Sequence, residues 1–200
     1  MPTSDLRLSA CLIVKNEAHY LKGCLLSIRD VADEIIVGDT GSTDQTVEIA
    51  RNFGATVYDI PWNNDFSSAR NEILAKAKGD WILSIDADER LCTTSRSQIE
   101  LLLKKSPNIA YYVSMYPMTG WTGMWVIRLF QNDPRIRFKG VFHETLWEGL
   151  QKAGASHSKN IGYSQLVLDH LGYDNDQHRK RKRNLPLLLK AIHSDSSNAY

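Results

Sequence analysis

Cysteine is scarce in this sequence: Cys11, Cys24 and Cys92 are all it has, and no two stand at CxxC spacing. An odd, scattered set makes a poor disulfide framework, so the three read as reduced core or surface thiols of an intracellular protein. An excess of charge of one sign is also missing. With a formal net charge of +1, the chain as a whole shows no bias towards nucleic acid, acidic substrates or membrane surfaces. Long apolar runs are lacking too. Near the N-terminus, Leu8–Val14 spans only seven residues before Lys15-Asn16-Glu17, which fits neither a signal peptide nor a membrane span. No repeat or low-complexity segment is visible. Neither G-x-G-x-x-G nor G-x-x-x-x-G-K-[ST] occurs, which excludes the dinucleotide-binding fingerprint and the P-loop. What is present is 200 residues with 42% hydrophobic content, enough for one domain with a sizeable core.

Apolar periodicity alternates strand and helix through the first half. Strands are expected at Leu8–Val14, Glu34–Asp39, Thr56–Asp59 and Trp81–Ile85, with helices at His19–Asp30, Gln45–Asn52 and Ser67–Lys78 between them. Asp65 or Ser67 would cap the third helix and Gly79 would stop it. Three βαβ steps mean an α/β fold with a mostly parallel sheet covered on both faces. In the second half a helix over Ser95–Lys105 precedes aromatic-rich strands at Ile109–Met115 and Met124–Phe130. Short strands follow around Ile136–Phe138 and Val141–His143, then a late strand at Tyr163–Leu168 and a closing helix at Gln177–His193 that Pro186 should kink. Residues 1–200 read as a single domain without a linker. Its nucleotide-binding half covers about 1–90, and an acceptor half with a smaller mixed sheet covers 91–200.

Ligands of open parallel sheets bind beyond the carboxyl ends of the strands, so those ends decide the chemistry. The first strand runs into Lys15-Asn16-Glu17 and the second into Asp39 and the loop Thr40-Gly41-Ser42-Thr43-Asp44. The fourth runs into Asp86-Ala87-Asp88-Glu89. Three polar ends on one sheet edge define a site. The fourth is the most demanding, because Trp81, Ile82, Leu83 and Ile85 form a buried run that stops at carboxylates. Asp86, Asp88 and Glu89 need something positive or hydrogen-bonding to offset the water they lose.

The segments "CLIVKNEAHYLKGCLLSI", "DEIIVGDTGSTDQTVEIA", "FSSARNEILAKAKGDWILSIDADE" and "RLFQNDPRIRFKGVFHETL", followed by "DHLGYD", resemble in order and spacing the family 2 glycosyltransferases of GT-A fold. The resemblance covers roughly residues 8–190 and is nearest the bacterial branch related to lipopolysaccharide-core and peptide-modifying glucosyltransferases. Members of that branch often continue into helical repeats, which these 200 residues lack, and residues 190–200 read as the frayed end of a truncated chain. The resemblance implies a GT-A fold, a nucleotide-sugar donor with UDP favoured, and Mn2+ or Mg2+ as cofactor. It also implies a saccharide, lipid-linked or peptide acceptor, a cytoplasmic location, no nucleic-acid partner, and peripheral membrane association as a further expectation.

On this reading the Asp86-x-Asp88 pair sits on an extended segment with both carboxylates on one side. A hard divalent cation uses one or two carboxylates plus substrate phosphates. Asp88 is then the direct ligand, with Asp86 nearer the ribose or a metal-bound water. His170 completes the metal shell. The resemblance puts Asp39 against the nucleotide's ring or ribose and Val14, Lys15, Asn16 and Glu17 along the base. It puts Arg70 against the diphosphate or the aspartates, where a guanidinium fork suits both. For these residues the plain alternatives are turn chemistry, capping and a solvated helix face; Ser42, Thr43 and Asp44 are expected to be structural. Glu144 is the candidate base, an ionised carboxylate just after a short strand, with His143 orienting the acceptor or donating to a phosphate. Asp133 and Asp169 are the next candidates for that role. Trp121 and Trp125 are the aromatics placed to stack on an acceptor sugar. The run Arg179–Arg183 reads first as a solvated helix face; within a glycosyltransferase the alternative is a contact with the donor's diphosphate or the phosphates of a lipid-linked acceptor.

Together these features point to metal-dependent, inverting transfer of a hexose from a nucleotide sugar. A nucleotidyltransferase on a related sheet, or a non-catalytic carbohydrate- or nucleotide-binding module, remains open at this stage. The nucleotidyltransferase would normally carry a Gly- and Arg-rich loop where this chain has Lys15-Asn16-Glu17.

Overall fold

Alternation along the first strand, β1 (Leu8–Val14), explains the layers of the molecule. Leu8, Ala10, Leu12 and Val14 enter one hydrophobic cluster while Cys11 enters the other, so β1 is buried on both faces as a central parallel strand must be. The structure is a computed structural model, described over residues 6–92, 94–117, 122–141, 144–157, 160–172 and 185–186. After β1 come α1 (Ala18–Ile28), β2 (Glu34–Asp39), α2 (Thr46–Asn52), β3 (Thr56–Asp59), α3 (Phe66–Leu74) and β4 (Trp81–Ser84). These four strands lie parallel in the order β3-β2-β1-β4. The chain winds outwards from β1 and then returns to place β4 on its other side, which makes the β1/β4 boundary the topological switch point.

The second half supplies β5 (Glu89–Leu91), α4 (Arg96–Leu103), β6 (Asn108–Pro117), β7 (Met124–Gln131), α5 (Trp147–His157) and β8 (Asn160–His170). Its strands are continuous with the parallel half, in the order β4-β7-β6-β8-β5. Here β7 is antiparallel to both neighbours and β8 is parallel to β6. Helices α1, α2 and α4 feed the cluster on one face and α3 and α5 the cluster on the other. Among the described residues, no helix is long and apolar enough to cross a membrane.

Three expectations are corrected. Helix α3 stops at Leu74, short of Lys78, because the chain tightens there through Lys76 N to Ile73 O (3.0 Å). Lys78 N then goes to Glu34 Oε1 (2.6 Å) and Gly79 N to Ser9 Oγ (2.8 Å). No strand forms over 136–138, because the Asn71 amide of α3 takes both backbone groups of Phe138, at 2.8 and 2.9 Å. The expected strand at 141–143 is also not found at Val141, while Phe142 and His143 lie outside the described residues. Strand β5 and helix α5 arise where no element was expected. The closing helix and its basic run also lie outside the described residues, apart from Leu185 and Pro186, which are helical.

Candidate active site

The loops after β1 and β2 are laced together. Val14 buries its side chain in the core and offers only backbone at the edge, where its carbonyl accepts from Thr40 N (2.9 Å) and Thr40 Oγ1 (3.0 Å). Asn16 adopts φ 55°, a left-handed conformation that asparagine tolerates better than most residues. Its N–H donates to Ser42 Oγ (2.8 Å) and its Oδ1 accepts from Thr43 N (2.7 Å). Glu17 N donates to Thr46 Oγ1 (2.8 Å), Asp44 accepts from Ala18 N and Thr46 N, and Lys15 is exposed. Ser42, Thr43 and Asp44 therefore serve the loop itself.

Asp39 divides its two oxygens. Oδ2 accepts from Gly41 N (3.1 Å) and Ser42 N (3.0 Å), which is turn chemistry, whereas Oδ1 is buried without a hydrogen-bond partner. A buried acceptor left unsatisfied costs on the order of 1–3 kcal/mol, so this oxygen is suited to a donor brought by a ligand.

At the end of β4 the expected extended spacing gives way to a turn, closed by Glu89 N to Asp86 O (3.0 Å). Asp86 has both oxygens on arginines: Oδ1 to Arg70 Nη2 (2.8 Å) and Oδ2 to Arg128 Nη2 (2.9 Å). Arg128 Nη2 also donates to Glu89 Oε1, and Glu89 Oε2 accepts from Asp86 N (3.0 Å). Burial pushes the Asp86 carboxyl up, but Arg70 and then Arg128 outweigh it and hold the group far below the usual carboxylate range. Burial likewise opposes the Arg70 charge, and Asp86 and Glu144 overcome it. The arginines are what the carboxylates at this strand end require. Arg128 was not anticipated from the sequence. It lies 42 residues from Asp86, and only the antiparallel register of β7 on β4 brings them together.

Helix α3 assembles the other side. Asp65 caps it by accepting from Ser68 N (3.0 Å), Ser67 Oγ donates to Gly140 O (2.6 Å), and Asn71 holds Phe138. The segment after β7 is thereby laid along the helix, and a Lys139–Thr145 bridge closes it back on itself. This delivers Glu144 to Arg70, with Oε1 2.7 Å from Nε. The Arg70 side chain is 7% exposed, which overturns a solvated helix face. Glu144 Oε2 has no hydrogen bond among the described residues.

Asp88 points away from the arginines. Its Oδ2 lies 3.7 Å from His170 Nε2 at the end of β8, and its carbonyl accepts from Leu171 N (2.8 Å). Gly172 closes over it so tightly that a Cβ there would sit 1.9 Å from Asp88 Oδ2. One carboxylate oxygen and one imidazole nitrogen fit a divalent cation whose remaining ligands come from phosphate and water. Among the described residues no cluster of three or more His, Cys, Asp or Glu side chains forms a complete protein-only site.

Asp133 is tied to Arg135 (2.5 Å). Trp125 is half exposed and rests edge-on against Tyr163, 5.0 Å between centroids, on the β7–β6–β8 part of the sheet. His143 and Trp121 lie outside the described residues.

Residues 9–170 match the family described as Glycosyl transferase family 2, and the chain belongs to that family. A TPR repeat-containing protein of Synechococcus elongatus is 36% identical over 179 residues, which are 88% of this chain and 44% of that protein. The SPbeta prophage-derived glycosyltransferase SunS of Bacillus subtilis is 31% identical over 203 residues, 94% of this chain and 45% of its own length. The chain thus spans a little under half the length of these relatives. The fold is that of GT-A glycosyltransferases. Glucosyl-3-phosphoglycerate synthase from Mycobacterium tuberculosis, crystallised with Mn2+, UDP and glucosyl-3-phosphoglycerate, superposes with a TM-score of 0.57. The identity is 17%, over 94% of this chain and 81% of that one.

Proposed function

We propose that this chain transfers a hexose from UDP-hexose, with inversion, to a hydroxyl or thiol of a saccharide, lipid-linked or peptide acceptor. The observation that carries this reading is one edge of the sheet. There an unsatisfied Asp39 oxygen, the Asp88–His170 pair and an arginine-held Glu144 stand around the switch point of a family 2 fold. Asp39 Oδ1 accepts from the ring or ribose of the nucleotide, beside the Lys15–Glu17 loop. Asp88 and His170 hold Mn2+ or Mg2+, which when bound supplies Lewis-acid stabilisation of the departing diphosphate. Arg70 anchors Asp86 and orients Glu144. The Glu144 Oε2 takes the acceptor's proton as the acceptor atom attacks the anomeric carbon and the bond to the diphosphate breaks. The cytoplasm is the proposed location, in keeping with three free thiols.

A thermal-shift panel of nucleoside diphosphates with and without manganese tests the donor side, since a ligand that binds only the native state raises apparent stability. The expected result is a shift with UDP that grows with manganese. A shift with GDP alone would replace the donor, and no shift with any nucleotide would overturn the reading. Hydrolysis of UDP-hexose with manganese separates a transferase from a binding module.

A further inference from the structure

A guanidinium pairs most strongly with a carboxylate side-on, donating Nε–H and Nη2–H in parallel to both oxygens. Arg70 divides that edge between two partners instead. Its Nη2 donates to Asp86 Oδ1 (2.8 Å) and its Nε to Glu144 Oε1 (2.7 Å). Two carboxylates thus compete for one edge, and the second oxygen of Asp86 decides the division. That oxygen accepts from Arg128 Nη2 on β7, at 2.9 Å. Arg128 Nη2 also donates to Glu89 Oε1, and Glu89 Oε2 accepts from Asp86 N (3.0 Å), closing a ring on the turn that carries Asp86. Arg128 gives up a fork of its own to do this, since its Nε is buried without a hydrogen-bond partner. Glu89, Arg128, Asp86, Arg70 and Glu144 form one chain of alternating charge, in which Arg128 reaches Glu144 through Asp86 and Arg70.

We infer that Arg128 is a positioning residue for Glu144. By holding Asp86 Oδ2 it stops Asp86 from taking both donors on the Arg70 edge, and so leaves Arg70 Nε for Glu144. The consequence for catalysis rests on the reading of Glu144 as the base. Without Arg128, Asp86 closes a fork on Arg70 and Glu144 loses the cation that orients it.

The test reads Arg70 directly, from its Nε–H resonance in proton–nitrogen spectra, assigned by its loss in Arg70→Lys. It also reads UDP release from UDP-glucose in the presence of manganese. Wild type, Arg128→Lys and the double variant Glu89→Gln/Arg128→Met are compared, each with and without Glu144→Gln. The double variant removes one group of each sign, and its introduced amide oxygen still accepts from the Asp86 N–H. In wild type, Glu144→Gln should move the Arg70 Nε–H resonance upfield, because a neutral bond replaces a charge-assisted one. In the double variant Glu144→Gln should leave that resonance in place, since Asp86 has taken the donor. There kcat should fall at least about tenfold with the UDP-glucose KM within about twofold, and adding Glu144→Gln should cost nothing further. Arg128→Lys keeps a charge for Asp86 Oδ2, so its kcat should stay within about threefold of wild type. A resonance that answers Glu144→Gln in the double variant as it does in wild type overturns the inference, and so does an unaltered kcat. A double variant without native circular dichroism leaves the decision to Arg128→Gln, whose side chain ends short of the Nη2 it replaces. Undiminished UDP release by Glu144→Gln alone would instead sink the base reading, while the resonance still decides what Arg128 does.

Discussion

Asp86 and Asp88 are two positions apart and face opposite tasks. Asp86 is an internal countercharge, gripped by two arginines, while Asp88 is turned towards a histidine. Asp88→Asn removes one charge at a turn and no core volume. It should therefore abolish the manganese-dependent part of UDP binding and leave thermal unfolding without ligand nearly unchanged; titration calorimetry with undiminished affinity would refute the assignment. Glu144→Gln is the complementary probe. The amide keeps the length of the carboxylate, and Arg70 keeps its pairing with Asp86, so donor and metal should bind normally. Transfer should fall by at least about a hundredfold, the low end for loss of a general base. A rise in donor KM at unchanged kcat would make Glu144 a binding residue. At this scale the sequence showed that buried carboxylates ended a strand and needed compensation. It did not show which cations supply it, because Arg70 and Arg128 reach Asp86 from positions 16 and 42 residues away.

Among the elements, α3 does most to build the site, since it holds Asp86, Glu144, Phe138 and Gly140 through residues of its first two turns. Its seat on the sheet depends on Gly38 of β2, where a Cβ would meet Ile73 Cγ2 at 2.6 Å and Ile60 Cγ1 at 3.0 Å. Gly38→Ala should lift α3 by a few tenths of an ångström, destabilise the fold by about 1–3 kcal/mol as overpacking does, and lower kcat through Arg70. Urea unfolding and steady-state kinetics check both; an unaltered kcat in the destabilised variant would uncouple helix seating from catalysis. The four parallel strands were legible within a residue because β1, β2 and β4 centre on buried apolar runs bounded by polar turns, and β3, only Thr-Val-Tyr-Asp, carries β-branched and aromatic residues. Legibility fails where long-range partners decide. Strand β5 has three residues and exists by pairing with β8 some eighty positions later. The stretch at 136–138 has strand-like composition, but its backbone bonds are taken by a helix side chain.

Across the whole molecule 24 basic and 23 acidic side chains nearly cancel, yet the buried acids of the site pull stability in opposite directions with pH. Asp86 has its folded pKa depressed by the arginines against burial. Its contribution is present above the ordinary carboxylate range and is lost only as pH falls through that depressed value, under strongly acidic conditions. Glu89 behaves oppositely. Burial raises it from 4.5 to about 7, with the Asp86 charge adding to the rise, even though Arg128, which also pairs Asp86, pulls it down. The native state therefore holds a proton there that the unfolded chain has released, and this stabilisation is complete below about 4.5 and disappears as pH rises through about 7. Glutamine imitates the neutral form at every pH. The melting temperature of Glu89→Gln relative to wild type should therefore increase between pH 5 and pH 8, with most of the change below about pH 7 and a plateau above it. A difference that stays constant over that interval would mean that Glu89 is already ionised at pH 5. In that case the shared arginine would outweigh burial, and the ring of Asp86, Arg128 and Glu89 would carry its full charge throughout.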